Sequence, residues 1–201
     1  MNKKVSYALQ TLFVPSLLVN LFLSIANQCF IHPKARIYWP GNVKLGKGSR
    51  IGRGSVIMAY NKVVIGKGVS LEDYCLLDDK GGEIILNDGS TLNQFSMIQS
   101  TAENVVEIGN HVAIAPYTRI VPNHKYDGEK RTGTVKGSTR IGDNVWIGAG
   151  VTIIIGTNIG ENSIIAANSV VTRDIPENIV AGGTPAKFIK TFEDYVKKKT
   201  S

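Results

Sequence analysis

Aliphatic residues return every six positions along most of this chain. From Ile141 the sequence divides into IGDNVW, IGAGVT, IIIGTN, IGENSI, IAANSV and VTRDIP, each unit opened by an aliphatic residue, with a small or β-branched residue usually four places later. The same division yields LGKGSR, IGRGSV and IMAYNK from Leu45, then IGKGVS, LEDYCL and LDDKGG from Ile65. It continues with LNDGST, LNQFSM and IQSTAE from Leu86 and IGNHVA, IAPYTR and IVPNHK from Ile108; IHPKAR and IYWPGN form an incomplete first round. An uninterrupted strand alternates every two residues and a helix every three to four, so neither accounts for this period. The content of Gly, Asn and β-branched residues also opposes a helix. A short strand followed by a tight corner does fit: the opening aliphatic points inward, the small residue fills the corner, and Gly, Asn or Asp supplies the turn. Three units close one triangular coil, and stacked coils pair their strands, so the array is cooperative. The predicted fold is all-β, a parallel β-helix.

The departures from the period define the remaining organisation. Extra residues fall between coils at Val63-Val64, Gly82 to Ile85 and Asn104 to Glu107, and predict loops extruded at one corner. The longest break, residues 121–140, starts beside His124 and ends where Ile141 restores the register, so it is expected to leave the coil as an arm. Residues 31–176 form the β-helix, and residues 177–201 a closing turn followed by a helix from Phe192 to Lys199. Residues 1–30 hold the apolar run LFVPSLLVNLFLSIA after Lys3-Lys4. Pro15 and Asn20 interrupt that run, and it is shorter than the roughly 20 apolar residues that cross a bilayer. It is expected to be a helical segment packed on the body or on a neighbouring subunit; peripheral membrane contact and export are the alternatives.

Composition adds less. The chain is 43% hydrophobic and 19% charged, the balance of a folded domain, and carries a formal net charge of +7. The cations are dispersed, with Lys197-Lys198-Lys199 the one run, which argues against nucleic acid and fits a small phosphorylated ligand. Cys29 and Cys75 form no CxxC pair and fit a reducing, cytoplasmic setting. Cys75 occupies a small inward place of its unit and reads as core packing, whereas Cys29 stands outside the repeat as a free thiol.

The order of the words IGNHVAIAPYTRI, IGDNVWIGAGVTI and IGENSIIAANSVVTRDIPENIVAGGTPAKFIK, with a histidine in the intervening arm, resembles the hexapeptide-repeat acyltransferases. The resemblance covers Ile108 to Lys190 and is to the sugar O-acetyltransferase branch, with maltose, galactoside and capsule-modifying enzymes. It implies a left-handed β-helix, a homotrimer with active sites between subunits, and acetyl-CoA as acyl donor without a metal. It places His124 as the general base, and an imidazole with an ordinary pKa of about 6.5 suits removal of a hydroxyl proton. Asn93 is implied at the acceptor side, and Trp146, at an outward position beside the arm, is expected to line the cleft. Ala149, Ala167, Thr172, Arg173, Lys187 and Lys190 are implied at the donor, the last two standing where the family carries arginines. A charge-assisted bond from Arg173 to phosphate is chemically apt. No Ser-His-Asp order or reactive cysteine is apparent, so direct transfer is expected. The same base and donor site would serve an N-acetyltransferase acting on an amino-sugar nucleotide, and a non-catalytic β-helix scaffold is the alternative outside enzymes. The three histidines, His32, His111 and His124, lack the spacing of the zinc-binding γ-type carbonic anhydrases, and His111 reads as an outward corner residue.

Overall fold

The computed structural model describes residues 16–122, 124–126, 131–134 and 137–197, with backbone alone for 124–126 and 131–134. Three sheets of nine, seven and five strands form the faces of a triangular prism, and a two-stranded hairpin stands apart. Each coil bonds in parallel to the next, so residues of equal place in the unit stack in register. On the nine-stranded face the column runs Ile31, Ile51, Leu71, Leu92, Ile114, Ile147 and Ile165. On the seven-stranded face it runs Ile37, Ile57, Leu77, Ile98, Ile120, Ile153 and Val171. The third column runs Leu45, Ile65, Leu86, Ile108 and Ile141, then continues through single bridges to Ile159 and Ile175. Apart from the members nearest the two ends, these side chains are almost completely buried, and they meet along the prism axis as one core. Each is worth about 1.5–3 kcal/mol of transfer free energy, which outweighs the modest strength of a parallel ladder.

The corners explain the remaining places of the unit. The fourth place takes a left-handed backbone: Gly48, Gly68 and Gly89 do so at one edge, and Gly54 and Gly150 at another. Side-chain-bearing residues tolerate the same conformation at His111, Asn144, Asn162 and Asn168. The expectation of Gly, Asn or Asp there needs one correction, because Tyr74, Phe95 and Tyr117 also have φ near +60°. The fifth place is small or β-branched because it is buried, with Val69, Val112, Val145 and Val151 among its occupants, and at other levels a serine there bonds to the neighbouring coil. Ser96 donates to the Ala115 carbonyl at 3.1 Å and accepts from the Thr118 N–H at 3.2 Å, and Ser90 bridges Gly109 and Val112 in the same manner. Glycine at the second place allows coils to touch: a Cβ on Gly52 would lie 2.5 Å from the carbonyl carbon of Glu72.

The breaks in the period differ from the loops expected. Val63, Ile84 and Val106 are buried members of the four-residue strands Lys62–Ile65, Glu83–Leu86 and Val105–Ile108, so the extra residues lengthen the third face. The corner before that face is closed by buried side chains. The Asp79 carboxylate accepts the N–H groups of Tyr60, Asn61, Lys62 and Gly81 at 2.8–3.0 Å. The long excursion is shorter than 121–140, because Val121 ends the strand Arg119–Val121 and Thr139 opens Thr139–Ile141.

Both ends of the prism are closed. Helix α1, Ser16–Asn27, lies over the first coil, where Asn20 donates to the carbonyls of His32 and Ala35 and Ser24 accepts the Ile31 N–H. Phe30 already belongs to the first strand, so the sequence boundary at residue 30 falls within the prism. At the far end the closing segment is more than a turn. Ile179–Gly182 adds a strand to the nine-stranded sheet, Lys187–Thr191 folds back antiparallel on it, and helix α2 follows at Phe192–Lys197. Lys198 and Lys199, included in the expected helix, lie outside the described residues.

Cys75 fills its inward place with 2% of its surface exposed, and its thiol donates to the carbonyls of Leu92 and Asn93. Burial pushes its pKa up from 9.0 to about 12. The stability tied to a neutral thiol is intact below pH 9.0 and is lost as the pH climbs toward about 12, because only the unfolded chain ionises in that window. Melting curves of the wild type and Cys75→Ala should therefore converge as the pH is raised through this window. In the column, Ile98→Ala is expected to lower unfolding free energy by about 2–5 kcal/mol, read by denaturant titration, because the coils on either side hold the cavity open.

Candidate active site

The expected site residues fall on two neighbouring edges of the prism. The first edge separates the nine- and seven-stranded faces. Here Asn93 occupies one corner, Ala149 and Ala167 the corners two and three levels on, and the Asn168 N–H donates to the Ala149 carbonyl at 2.8 Å. Ala149 and Ala167 are exposed, so this stretch of the edge presents methyl groups and backbone rather than bulky side chains. Their coils approach closely enough that a Cβ on Gly148 would sit 2.6 Å from the Ala167 nitrogen. Trp146 stands just before this edge on the nine-stranded face, paired with Ala113 and Ile164, and is 46% exposed. It points away from the core.

Asn93 is more constrained than the sequence implied. Its Nδ2 donates to the Ile114 carbonyl at 2.9 Å, the acceptor that its own backbone N–H also uses. Half of its amide thus serves coil stacking. The same edge also carries a feature absent from the sequence reading. Tyr74, Phe95 and Tyr117 stack ring on ring, with centroids 5.4 and 5.1 Å apart and planes within 4° and 10° of parallel. Arg53 lies over the outer face of Tyr74, and Gly54 leaves the room that ring occupies. The signal was present, since LEDYCL, LNQFSM and IAPYTR each carry an aromatic residue in the fourth place. The ladder ends at Gly150, directly beside Ala149.

The second edge separates the seven- and five-stranded faces. From it the backbone leaves after Val121, and His124–Tyr126 pairs antiparallel with Arg131–Thr134, His124 opposite Thr134. The arm is therefore a β-hairpin at its base. The side chain of His124 lies outside the described residues, as do Asp127 and Glu129, so its orienting partner is not part of this geometry. Thr172 and Arg173 lie on the same edge in the last coil, both exposed. Neighbouring Asp174 turns back to accept the Asn158 N–H at 2.7 Å, which leaves Arg173 as the outward charge of that corner.

Lys187 and Lys190 stand on the closing hairpin. Lys187 pairs with Gly182, where the added strand reaches the first edge, and is exposed. Lys190 pairs with Val180 and is half-buried, its ammonium 4.9 Å from the centre of the Tyr195 ring. The structure thus sets Asn93, Ala149, Ala167 and Lys187 along one edge, and the His124 hairpin with Thr172 and Arg173 along the next. The seven-stranded face lies between them. A groove across the upper part of the third face, lined by Arg140, Asp143, Glu161, Asp174 and Glu177, holds none of these residues, and its four carboxylates outnumber its one cation, which disfavours a phosphate.

Comparison with known proteins gives this arrangement its context. The family model for the hexapeptide repeat of succinyl-transferase matches residues 138–173. A protein of Saccharomyces cerevisiae with a provisional acetyltransferase name is 48% identical over 120 residues, 58% of this chain and 59% of that protein. Galactoside O-acetyltransferase of Escherichia coli is 46% identical over 92 residues, 44% of this chain and 45% of the relative. The chain spans about half the length of these relatives. The solved structure of AntD, an N-acyltransferase of Bacillus cereus in complex with dTDP and 3-hydroxybutyryl-CoA, has the same fold, with a TM-score of 0.64 at 18% identity over 94% of this chain and 100% of that one. A hexapeptide-repeat acetyltransferase of Vibrio cholerae in complex with acetyl-CoA shares it as well, with a TM-score of 0.52 at 21% identity over 94% and 85% of the two chains. In its stacked six-residue units and its matched repeat the chain is similar to the hexapeptide-repeat acetyltransferases.

Proposed function

We propose that the chain is an acetyl-CoA-dependent O-acetyltransferase that acts on a sugar hydroxyl, as in the modification of a polysaccharide or glycan. The observation that carries this reading is the division of the expected residues between two edges of one prism. Neither edge alone unites a base, a slot for a narrow acyl-carrying arm and cations for phosphates. Packing of the first edge of one protomer against the second edge of the next would unite them, so the homotrimer with shared clefts belongs to the proposal. Each prism would supply its small-walled edge to one cleft and its hairpin to another.

In this assembly the pantetheine arm of acetyl-CoA lies along Ala149 and Ala167, whose methyl groups leave room for backbone contacts. Arg173, Thr172, Lys187 and Lys190 serve the phosphates; lysines keep the charge of the family's arginines but lack the paired fork that grips phosphate. Trp146 and Asn93 border the acceptor side. The imidazole of His124 takes the proton of the sugar hydroxyl as the oxygen attacks the thioester carbonyl. The tetrahedral oxyanion is held by a hydrogen-bond donor, an interaction worth about 3–4 kcal/mol in comparable acyl transfers. Collapse breaks the carbon–sulfur bond, the leaving thiolate receives the proton from the imidazolium, and the products are the acetyl ester and free coenzyme A. Cys75 is buried and its thiol is held neutral, so no acyl-cysteine precedes transfer at that residue. The cytoplasmic setting read from the cysteines is part of the same proposal.

His124→Ala is expected to lower kcat for acetyl transfer by about 10²–10⁴-fold while leaving the Kd for acetyl-CoA within about twofold of wild type. Thiol release across a panel of sugars and amino sugars, paired with calorimetry, measures both quantities. Equal turnover in the variant would remove His124 as the base, and a panel in which only amino sugars react would replace oxygen by nitrogen as the acceptor. Arg173→Ala should show the opposite split, raising the KM for acetyl-CoA about tenfold with kcat nearly unchanged, through loss of a charge-assisted phosphate bond.

A further inference from the structure

Helix α1 is inverted relative to an ordinary surface helix. The residues it turns away from solvent are Val19, Asn20, Leu23, Ser24 and Asn27, three of the five polar, and the most buried of them is Asn20. Asn20 and Ser24 are committed to backbone groups of the first coil, which among the described residues has no preceding coil to bond. The opposite side carries Leu17, Leu18, Leu21, Phe22 and Ile25, spaced to form one continuous stripe and 52–72% exposed. A helix normally hides such a stripe, and an exposed apolar surface of this extent marks a contact. At 12 residues α1 is about 18 Å long, and no described helix is long and apolar enough to cross a membrane.

The charge around this end is equally one-sided. The first 71 residues contain ten Lys and Arg and no Asp or Glu; all 16 carboxylate residues begin at Glu72. The exposed cations encircle the prism, with Arg50 on the nine-stranded face, Arg36 on the seven-stranded face, Lys44 on the five-stranded face and Lys34 and Lys47 at edges. Coils rise by about 4.8 Å, so these groups sit within about 10 Å of the capped end, close to one Debye length. Among the described residues of this stretch only Arg53 and Lys62 form salt bridges, with Asp73 and Glu83.

We propose that this end of the prism docks on an anionic lipid surface, with the Leu17–Ile25 stripe of α1 lying in the head-group boundary and the ring of cations facing the anionic head groups. A protein partner would need an apolar groove with a wide acidic rim fitted to three faces at once. A bilayer supplies a flat apolar boundary and a laterally continuous negative charge, which suits a short helix laid across a prism end with cations on every side. The attachment is peripheral: the stripe enters the boundary and the prism stands outside it.

The test is flotation of the full chain with vesicles of phosphatidylcholine mixed with phosphatidylglycerol, against vesicles of phosphatidylcholine alone. The expected result is binding to the mixed vesicles about tenfold or more tighter than to the neutral ones, weakening as salt is raised. Phe22→Glu with Ile25→Glu should reduce binding to mixed vesicles at least about a hundredfold. Both side chains are exposed, so the melting temperature and acetyl transfer to a soluble sugar should be retained. Lys44→Ser with Lys47→Ser should weaken binding to mixed vesicles about tenfold and leave binding to neutral vesicles unchanged. Absence of binding to either vesicle overturns the proposal, as does wild-type binding by both double variants. Self-association that Phe22→Glu abolishes, without vesicle binding, would assign the stripe to a second copy of the chain and overturn it as well.

Discussion

Everything in this molecule depends on one coil bonding to the next in unbroken parallel register. The three aliphatic columns exist because Ile98 lies over Leu77 and under Ile120, and likewise at each level. A residue that slipped one place would turn its side chain from the axis to solvent and carry its whole strand with it. The small fifth-place residues and second-place glycines follow from the same constraint: coils spaced at strand distance leave no volume at the corners. Ser55, Ser90 and Ser96 fill that space and satisfy backbone groups that an alanine would leave without partners.

The constraint also decides where chemistry can sit. Inward places are filled and outward strand places are held in a fixed lattice, so corners are where the chain can leave the stack without disturbing it. The hairpin of His124 and the exposed alanines at Ala149 and Ala167 are all corner features. A side chain placed on such an excursion borrows the rigidity of the prism at its base. The aromatic ladder of Tyr74, Phe95 and Tyr117 is the same principle in another form, because a corner repeated at strand spacing stacks whatever rings it carries.

The period of six made the prism legible, because burial at the axis tolerates few residue types and the columns therefore spell themselves in Ile, Leu and Val. It misjudged Val63, Ile84 and Val106, where apolar residues outside the count turned out to lengthen strands, since a tally by sixes cannot tell a longer strand from an inserted loop. The ladder is not legible in the period, because an aromatic residue in a left-handed turn contradicts its usual preference, and only stacking on its neighbours makes it favourable there. For the site, histidine in a broken register was a chemical signal in its own right. Ala149, Ala167 and Thr172 were not: exposed small side chains acquire meaning only from what lies opposite them, so they were found by resemblance. The inverted face of α1 was unreadable for a related reason, as an apolar run does not disclose which side meets the body.

A stack whose bonding groups are the same at every level carries no information about how tall it should be. Each added coil would offer the next the same donors and acceptors, so a bare prism is an open-ended polymer, and two bare prisms would continue one another as readily as one continues itself. The length of this one is written at its ends. The amide of Asn20 occupies carbonyls that another coil would otherwise claim, and Lys187–Thr191 runs antiparallel across the last strand of the nine-stranded sheet. The repeats thus specify a cross-section, while the irregular segments at either end specify a size, and it is those least repetitive residues that make a discrete molecule out of a potential fibre.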